Sequence, residues 1–274
     1  MKIVEVKPRE IDLKGMNKRF AKESDCSTVY NEDVLFTQDG VPIILYKKLE
    51  TDTNDIRWAV QNIKYESSTR TAGLKSTSAI FGYSPKVALR KDFCSATAMA
   101  NKFPKAHYVI CKFAEELTKL YEEYFPEILA KHYDIVTEKV LDDWKIEGTP
   151  FTSGIVNKNN QLKYHHDAGN FKGVLSNMLV LKNKVKGGRL ACPEFDFILE
   201  CADDHVVIFN GQNILHGVTP IQALSKDSYR YTVVYYSLEQ MWKCEGVNEE
   251  LKRIRTVRQG REKKRAAEPP KEKS

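Results

Sequence analysis

The second half of the chain carries four side chains whose types and order suit chemistry at a metal. His165 and Asp167 stand two apart in Tyr164-His165-His166-Asp167-Ala168-Gly169-Asn170. Residues two apart on a strand share a face, so an imidazole and a carboxylate can aim at one point. His216, in Asn213-Ile214-Leu215-His216-Gly217-Val218-Thr219-Pro220, follows the apolar run His205-Val206-Val207-Ile208-Phe209 and is expected near the end of a buried strand. Two histidines and one carboxylate form the facial set that leaves open positions on iron(II). Fourteen positions after His216 comes Arg230, in the β-branched and aromatic segment 229–236, where it would share a strand face with Thr232. A guanidinium fork grips a carboxylate bidentately, and a neighbouring hydroxyl adds a hydrogen bond. Each residue has an ordinary alternative: His165 at the surface, Asp167 in a turn before Gly169, His216 as a core histidine, Arg230 as a solvated strand residue. Their order and strand context favour a site. His166 would face away from His165, and His205 begins the strand leading to His216, so neither is expected to join it.

Taken with its flanking motifs, the sequence resembles the TET/JBP-like branch of the 2-oxoglutarate/iron(II) dioxygenases, which oxidises the 5-methyl group of pyrimidine bases in nucleic acid. The resemblance is carried by Thr149-Pro150-Phe151-Thr152-Ser153, Val156-Asn157, His165-x-Asp167-x-x-Asn170, Gly187-Gly188-Arg189-Leu190, Pro193-Glu194, His216-Gly217-Val218-Thr219-Pro220 and Tyr229-Arg230-Tyr231. It extends more weakly to Arg70-Thr71-Ala72-Gly73-Leu74 and Phe81-Gly82-Tyr83. It implies Fe(II) on His165, Asp167 and His216, with 2-oxoglutarate and O2 as cosubstrates and the distal carboxylate of 2-oxoglutarate on Arg230 and Thr232. It also implies DNA as the partner, with a 5-methylated pyrimidine flipped out of the stack. Asn170 falls where the TET-like pattern meets the base, and its amide both donates and accepts. An upstream arginine reaches the active site in the family, and Arg90 or Arg70 matches it. The expected substrate is 5-methylcytosine, oxidised to 5-hydroxymethylcytosine, with thymine second. A protein or small-molecule hydroxylase would need neither Asn170 nor a basic loop, and a binding module would need neither Arg230 nor a complete ligand set.

Composition constrains the rest. The chain has 43 Lys and Arg against 37 Asp and Glu, a net charge of +6. Residues 251–274 hold ten Lys and Arg against three Glu, so this +7 tail leaves the remainder at −1. Electrostatic hold on phosphates is therefore expected from local patches or from the tail. Lys263-Lys264-Arg265 also allows a nuclear-targeting reading. No apolar run approaches the roughly 18 residues that would span a bilayer, and the N-terminus lacks the apolar stretch of a secretory signal. The expectation is an intracellular protein that is not secreted, nuclear in a eukaryote or in the host cytoplasm if viral, with no membrane partner and a monomer by default. The six cysteines show no Cys-x-x-Cys spacing and are expected as reduced, mostly buried thiols.

These pieces imply an α+β fold: a double-stranded β-helix (jelly-roll) core with supporting helices packed outside. Residues 1–65 are expected to form a hairpin and helix supporting the core, 66–245 the dioxygenase core, and 251–274 a basic disordered tail. Asp39-Gly40 between apolar runs predicts a hairpin within 27–49, placed at a sheet edge because of Pro42. Asp52-Thr53-Asn54-Asp55 precedes a short predicted helix over 56–63. Residues 66–95 read as a polar loop in which Arg70, Lys75, Lys86, Arg90 and Lys91 alternate with the aromatics Phe81 and Tyr83, a pattern that suits phosphates and stacked bases. Apolar spacing predicts a helix over 106–124, with Val109, Phe113, Leu117, Leu120 and Tyr124 on one face, and a second from Pro126 to about residue 140. Short strands separated by turns follow from residue 152 to residue 236.

Overall fold

The computed structural model describes residues 1–69, 75–86 and 92–267. Strands such as Ser176–Asn183, His205–Phe209 and Tyr229–Tyr236 are nearly continuously buried because both of their faces are covered. One face, with Leu179, Leu181, Val206, Ile208, Tyr231, Val233 and Tyr235, packs under helices Asn54–Gln61 and Pro104–Tyr124. The alternate residues Met178, Val180, Val207 and Phe209 face Leu190, Cys192, Phe197 and Leu199 of a second sheet. The period of two thus builds a three-layer arrangement: helices, major sheet, minor sheet.

The major sheet runs in the order Lys2–Glu5, Val34–Gln38, Val41–Lys48, His205–Phe209, Ser176–Asn183, Tyr229–Tyr236, Ser153–Lys158, Lys75–Ser84, Glu66–Thr69. The minor sheet orders Gly217–Val218, Leu190–Cys192, Phe197–Leu199 and Thr28–Tyr30. This is the jelly-roll core with helices outside that the sequence implied. Residues 1–65 contribute strands to both sheets.

Several expectations need correction. The Asp39-Gly40 hairpin forms, but it is not at the edge: the N-terminal strand Lys2–Glu5 pairs in parallel with Val34–Gln38 and takes that place. Pro42 is tolerated because His205–Phe209 pairs with the hairpin only at Ile44–Lys48, and a register shift lies between Phe36 and Thr37. The stretch read as a polar loop contains the antiparallel strands Glu66–Thr69 and Lys75–Ser84, and the longer strand also pairs with Ser153–Lys158. Its aromatics are not offered to bases. Phe81 is fully buried and packs edge-on to Tyr235 at 5.0 Å, while Tyr83 stands edge-on to Trp144 at 5.6 Å.

The apolar stripe predicted on 106–124 is broader than five positions. Ala106, Ile110 and Tyr121 join Phe113 and Leu117 as fully buried, while Val109, Leu120 and Tyr124 flank them half-buried. Cys94 and Cys244 form a disulfide across 150 residues, contrary to the expectation of six free thiols. Cys26, Cys192 and Cys201 are buried and free. The tail is not disordered throughout, since Val247–Ala267 is helical. Its Arg, Lys, Glu, Gln and Ala content gives it high intrinsic helix propensity despite the lack of an apolar face. Among the described residues no helix is long and apolar enough to cross a membrane.

His132 and His107, which the sequence placed in no ligand spacing, serve packing. His107 Nε2 accepts the Gly82 backbone N–H at 3.0 Å. His132 lies fully buried beneath Phe151 and Phe171. The Ser237 hydroxyl donates to Pro150 O at 2.7 Å, so His132 Nε2, 2.9 Å from that hydroxyl, must be the donor to it. Burial lowers the His132 pKa to about 3. The unfolded chain therefore binds a proton below about pH 6.5 that the native chain refuses. Native stability should fall as pH drops from about 6.5 toward 3, by on the order of a few kcal/mol from this group. Thermal unfolding followed between pH 7 and 4 should show a shallower decline in His132→Asn than in the wild type; parallel declines would remove His132 as the cause.

Candidate active site

His165 does not sit in a strand. It lies in an irregular segment joined to the protein by isolated bridges, and its partner in one of them is His216. The two residues exchange both backbone bonds, His165 N–H to His216 O at 2.9 Å and His216 N–H to His165 O at 3.1 Å. This reciprocal pair brings the imidazoles side by side, with ring centroids 4.4 Å apart. Asp167 is fixed separately, by its N–H to Gly211 O at 2.8 Å. Its Oδ1 lies 3.6 Å from His165 Nε2 and 3.8 Å from His216 Nε2. One ligand atom from each residue falls within 4.8 Å of the others, a cluster able to hold a metal ion.

The tautomers suit that task. His165 Nδ1 lies 2.7 Å from Lys163 O, and His216 Nδ1 lies 2.9 Å from Ile214 O. A carbonyl accepts only, so each Nδ1 carries the proton and each Nε2 lone pair is turned toward the cluster. Burial pushes the His216 pKa down to about 4, against the pull of Asp167, so the ring is a neutral ligand at physiological pH. Gly211 is a residue the sequence reading missed. A Cβ built there would overlap the Asp167 carboxylate and approach His216 Cε1 to 3.3 Å, so only glycine leaves room behind the cluster. The turn dipeptide Asn210-Gly211 after a buried strand was the available signal.

The cluster opens into a cavity of about 320 Å³ between the two sheets. Arg230, Thr232, Val234 and Tyr236 line it from the Tyr229–Tyr236 strand, as the period of two requires. Arg230 is only 2 % exposed, and its Nε and Nη2 have no hydrogen-bond partner. Burial lowers its pKa, and the neighbour that counters this is the Cys201 thiol rather than a carboxylate. Gly188 makes space for the arginine stem: a Cβ there would come within 2.6 Å of Arg230 Cδ. A buried guanidinium without an anionic partner is costly, and a dicarboxylate occupying the cavity would satisfy it. The donor set and the orphaned guanidinium together fit iron(II) and 2-oxoglutarate.

Beside Thr232 a chain of amides forms one polar wall. Asn157 Nδ2 lies 3.4 Å from Thr232 Oγ1, and Asn160 Nδ2 donates to Asn157 Oδ1 at 3.0 Å and to Ser76 Oγ at 3.0 Å. Asn157 and Asn160 both line the cavity, and neither was assigned a role from sequence. Asn170 lines it too, nearly buried, with Nδ2 donating to Ser176 Oγ at 3.1 Å. His166 is exposed at the rim and outside the ligand cluster. His205 is remote, stacked on Tyr46 at 4.8 Å with Nδ1 against Asp203 O. Arg70 and Arg90, the candidates for an upstream arginine, lie outside the described residues, as does Lys91. Lys86 is committed to Glu250 at 3.1 Å. Arg189 of the Gly187-Gly188-Arg189-Leu190 motif is structural, paired with Glu200 and Glu23.

Residues 87–239, more than half of the chain, match the family Tet_JBP, the oxygenase domain of the 2OGFeDO superfamily. JBP2 of Trypanosoma brucei brucei, a bifunctional helicase and thymine dioxygenase, is 28% identical over 123 residues, which are 44% of this chain and 11% of JBP2. The chain thus spans about a tenth of that relative's length. Among solved structures, NgTET1 in complex with 5mC DNA superposes with a TM-score of 0.63 at 14% identity, covering 93% of this chain and 90% of that one, and so shares the fold. With the family matched over the stretch that holds all three cluster residues and Arg230, the chain belongs to the Tet_JBP family and is a 2-oxoglutarate- and iron(II)-dependent dioxygenase.

Proposed function

We propose that this dioxygenase oxidises the methyl group of 5-methylcytosine in DNA to 5-hydroxymethylcytosine. The observation that carries the reading is a single cavity lined by the His165, Asp167 and His216 cluster, by the orphaned Arg230, and by Asn170. His165 and His216 would hold Fe(II) through Nε2 and Asp167 through its carboxylate. Arg230 would grip the distal carboxylate of 2-oxoglutarate, with the Thr232 hydroxyl beside it. Bound there, iron(II) and 2-oxoglutarate use O2 to supply an oxidant able to take hydrogen from a methyl group. Phe209, edge-on to the His216 ring at 5.0 Å, forms with Leu190 and Val218 an apolar wall that limits water near the reacting centre.

Asn170 would read the pairing edge of a base turned out of the duplex. With Nδ2 given to Ser176, its Oδ1 has the acceptor polarity that the 4-amino group of cytosine requires. DNA as the substrate is supported by NgTET1, which has this fold and binds 5mC DNA. A second reading, thymine, is favoured by the sequence match to JBP2, a thymine dioxygenase, and needs only a rotated Asn170 amide with Ser176 as donor.

Three outcomes are expected. Asp167→Ala abolishes turnover with the fold retained, and Gly211→Ala, by displacing the same carboxylate, weakens Fe(II) binding in a direct metal titration. Full activity in Asp167→Ala would remove it from the metal site. Arg230→Lys keeps the charge but loses the fork, so the KM for 2-oxoglutarate should rise by roughly ten- to a hundredfold, corresponding to the roughly 1.5–3 kcal/mol of a charge-assisted bond; an unchanged KM would exclude Arg230 from the cosubstrate site. Duplexes with and without 5-methylcytosine, incubated with Fe(II) and 2-oxoglutarate and digested for nucleoside mass spectrometry, should yield 5-hydroxymethylcytosine. Only 5-hydroxymethyluracil would establish thymine instead, and consumption of 2-oxoglutarate with a peptide or metabolite in place of DNA would defeat the nucleic-acid reading.

A further inference from the structure

The C-terminal helix Val247–Ala267 is long, basic and almost without packing. Between positions 252 and 265 it carries eight Lys and Arg against the single Glu262. Only Arg253, Ile254 and Val257 are half-buried, and every described side chain from Arg258 onward is exposed. Arg255 and Arg258 stand three apart, as do Arg261 and Lys264, so like charges face one another along the helix. Such a helix has no apolar stripe to bury against protein or lipid. Its charge density calls for a polyanion. From Arg255 to Arg265 the helix covers about 15 Å, comparable to four or five base-pair steps of a duplex that carries one negative charge per about 1.7 Å of axis.

The root of this helix is firmly built. Glu250 is 1 % exposed; its carboxylate accepts the Cys94 and Glu245 N–H groups, both at 3.0 Å, and pairs with Lys86 at 3.1 Å. Burial opposes ionisation of this carboxyl, but those hydrogen bonds and Lys86 outweigh it and hold the pKa below its ordinary value. Arg253 adds a bond to Glu245 at 2.8 Å, and the Cys94–Cys244 disulfide closes the same junction. The junction is continuous with the rim of the catalytic cavity. Cys94 and Cys244 share a small core with Phe171, the residue after Asn170, and Trp242 packs on Phe171 at 5.4 Å. Glu239 N–H bonds Gly169 O at 2.9 Å, and Asn170 bridges Leu238.

We propose that Val247–Ala267 is a phosphate-binding arm that holds the DNA backbone beside the catalytic mouth, its root clamped to the rim that carries Asn170. This rests on the reading above that DNA is the substrate. The arm contacts phosphates only, so it contributes affinity and placement without base preference. It also accounts for a chain whose remainder is close to neutral yet must approach a polyanion.

The test is a variant of the full chain with Arg255→Gln, Arg258→Gln, Lys263→Gln and Lys264→Gln, all exposed positions where Gln keeps helix propensity. Binding to a methylated duplex is measured by anisotropy across salt concentrations, alongside product formation. Loss of four phosphate contacts should reduce the slope of log affinity against log salt by about 3 to 4, and raise the KM for duplex more than tenfold. The KM for 2-oxoglutarate and the kcat at saturating DNA should be unchanged. A wild type that oxidises DNA, with a variant of equal salt slope and equal KM, overturns the arm while leaving the substrate reading intact. A wild type that neither binds nor oxidises DNA overturns both. Loss of binding to phosphatidylserine vesicles in the variant, with DNA binding unaltered, would make a lipid surface the occupant and overturn the proposal.

Discussion

A guanidinium buried without a carboxylate costs several kcal/mol unless an anion reaches it, and much of this fold can be understood as the accommodation of Arg230. The strand that carries it is central in the major sheet, paired on both sides, so the side chain cannot swing out to water. Gly188 is emptied of a side chain to admit its stem. Cys201, uncharged and polarisable, stands where a carboxylate would have quenched it. The result is a buried cation without an anionic partner, and an anion that reached it would add to global stability by relieving a penalty the folded chain carries.

The three residues of the candidate metal cluster follow a different logic. None of the three lies inside a long strand; they belong to irregular segments pinned by the His165–His216 bridge and by Asp167 to Gly211. Rigid strands set the position of Arg230 to within a pleat, whereas the ligands need directions that a regular pleat does not give. Their rings are then oriented by carbonyls two residues earlier, Lys163 O and Ile214 O, which makes the local backbone the outer support of the ligand set.

This difference bears on what could be read in the sequence. The order His165, Asp167, His216, Arg230 was legible because each role admits few residue types, and the strand around Arg230 because its two faces are both apolar outside the cavity. The strands Glu66–Thr69 and Lys75–Ser84 were not legible, since Ser and Thr residues there resemble a loop by composition; Ser76 in fact bonds the buried Asn160, a contact that depends on a residue more than eighty positions away. Pro42 suggested an edge because a proline cannot donate to a ladder, but the neighbouring strand stops short of it. The disulfide joins residues 150 apart and has no local signature. The tail's lack of apolar residues suggests disorder, but apolar content measures packing and not helix propensity, and Val247–Ala267 is helical.

The cavity has two ends with unequal legibility, and the reason is physical. At the Arg230 end, Thr232, Asn157 and Asn160 are hydrogen-bonded to one another and to Ser76 of the neighbouring strand, so the sheets constrain every one of them. At the other end, where the proposed reading puts the base, the wall is the turn-rich stretch His166-Asp167-Ala168-Gly169-Asn170, exposed at His166, Ala168 and Gly169. If Asn170 reads the base, as proposed, base identity depends on how one amide is rotated, and its side-chain partner is the Ser176 hydroxyl. A hydroxyl can donate or accept, so the pair Asn170 and Ser176 is a two-position switch that the same two residue types would build for either pyrimidine. On the proposed reading, reaction type is written in which residues are present, while substrate choice is written in the direction of one hydrogen bond.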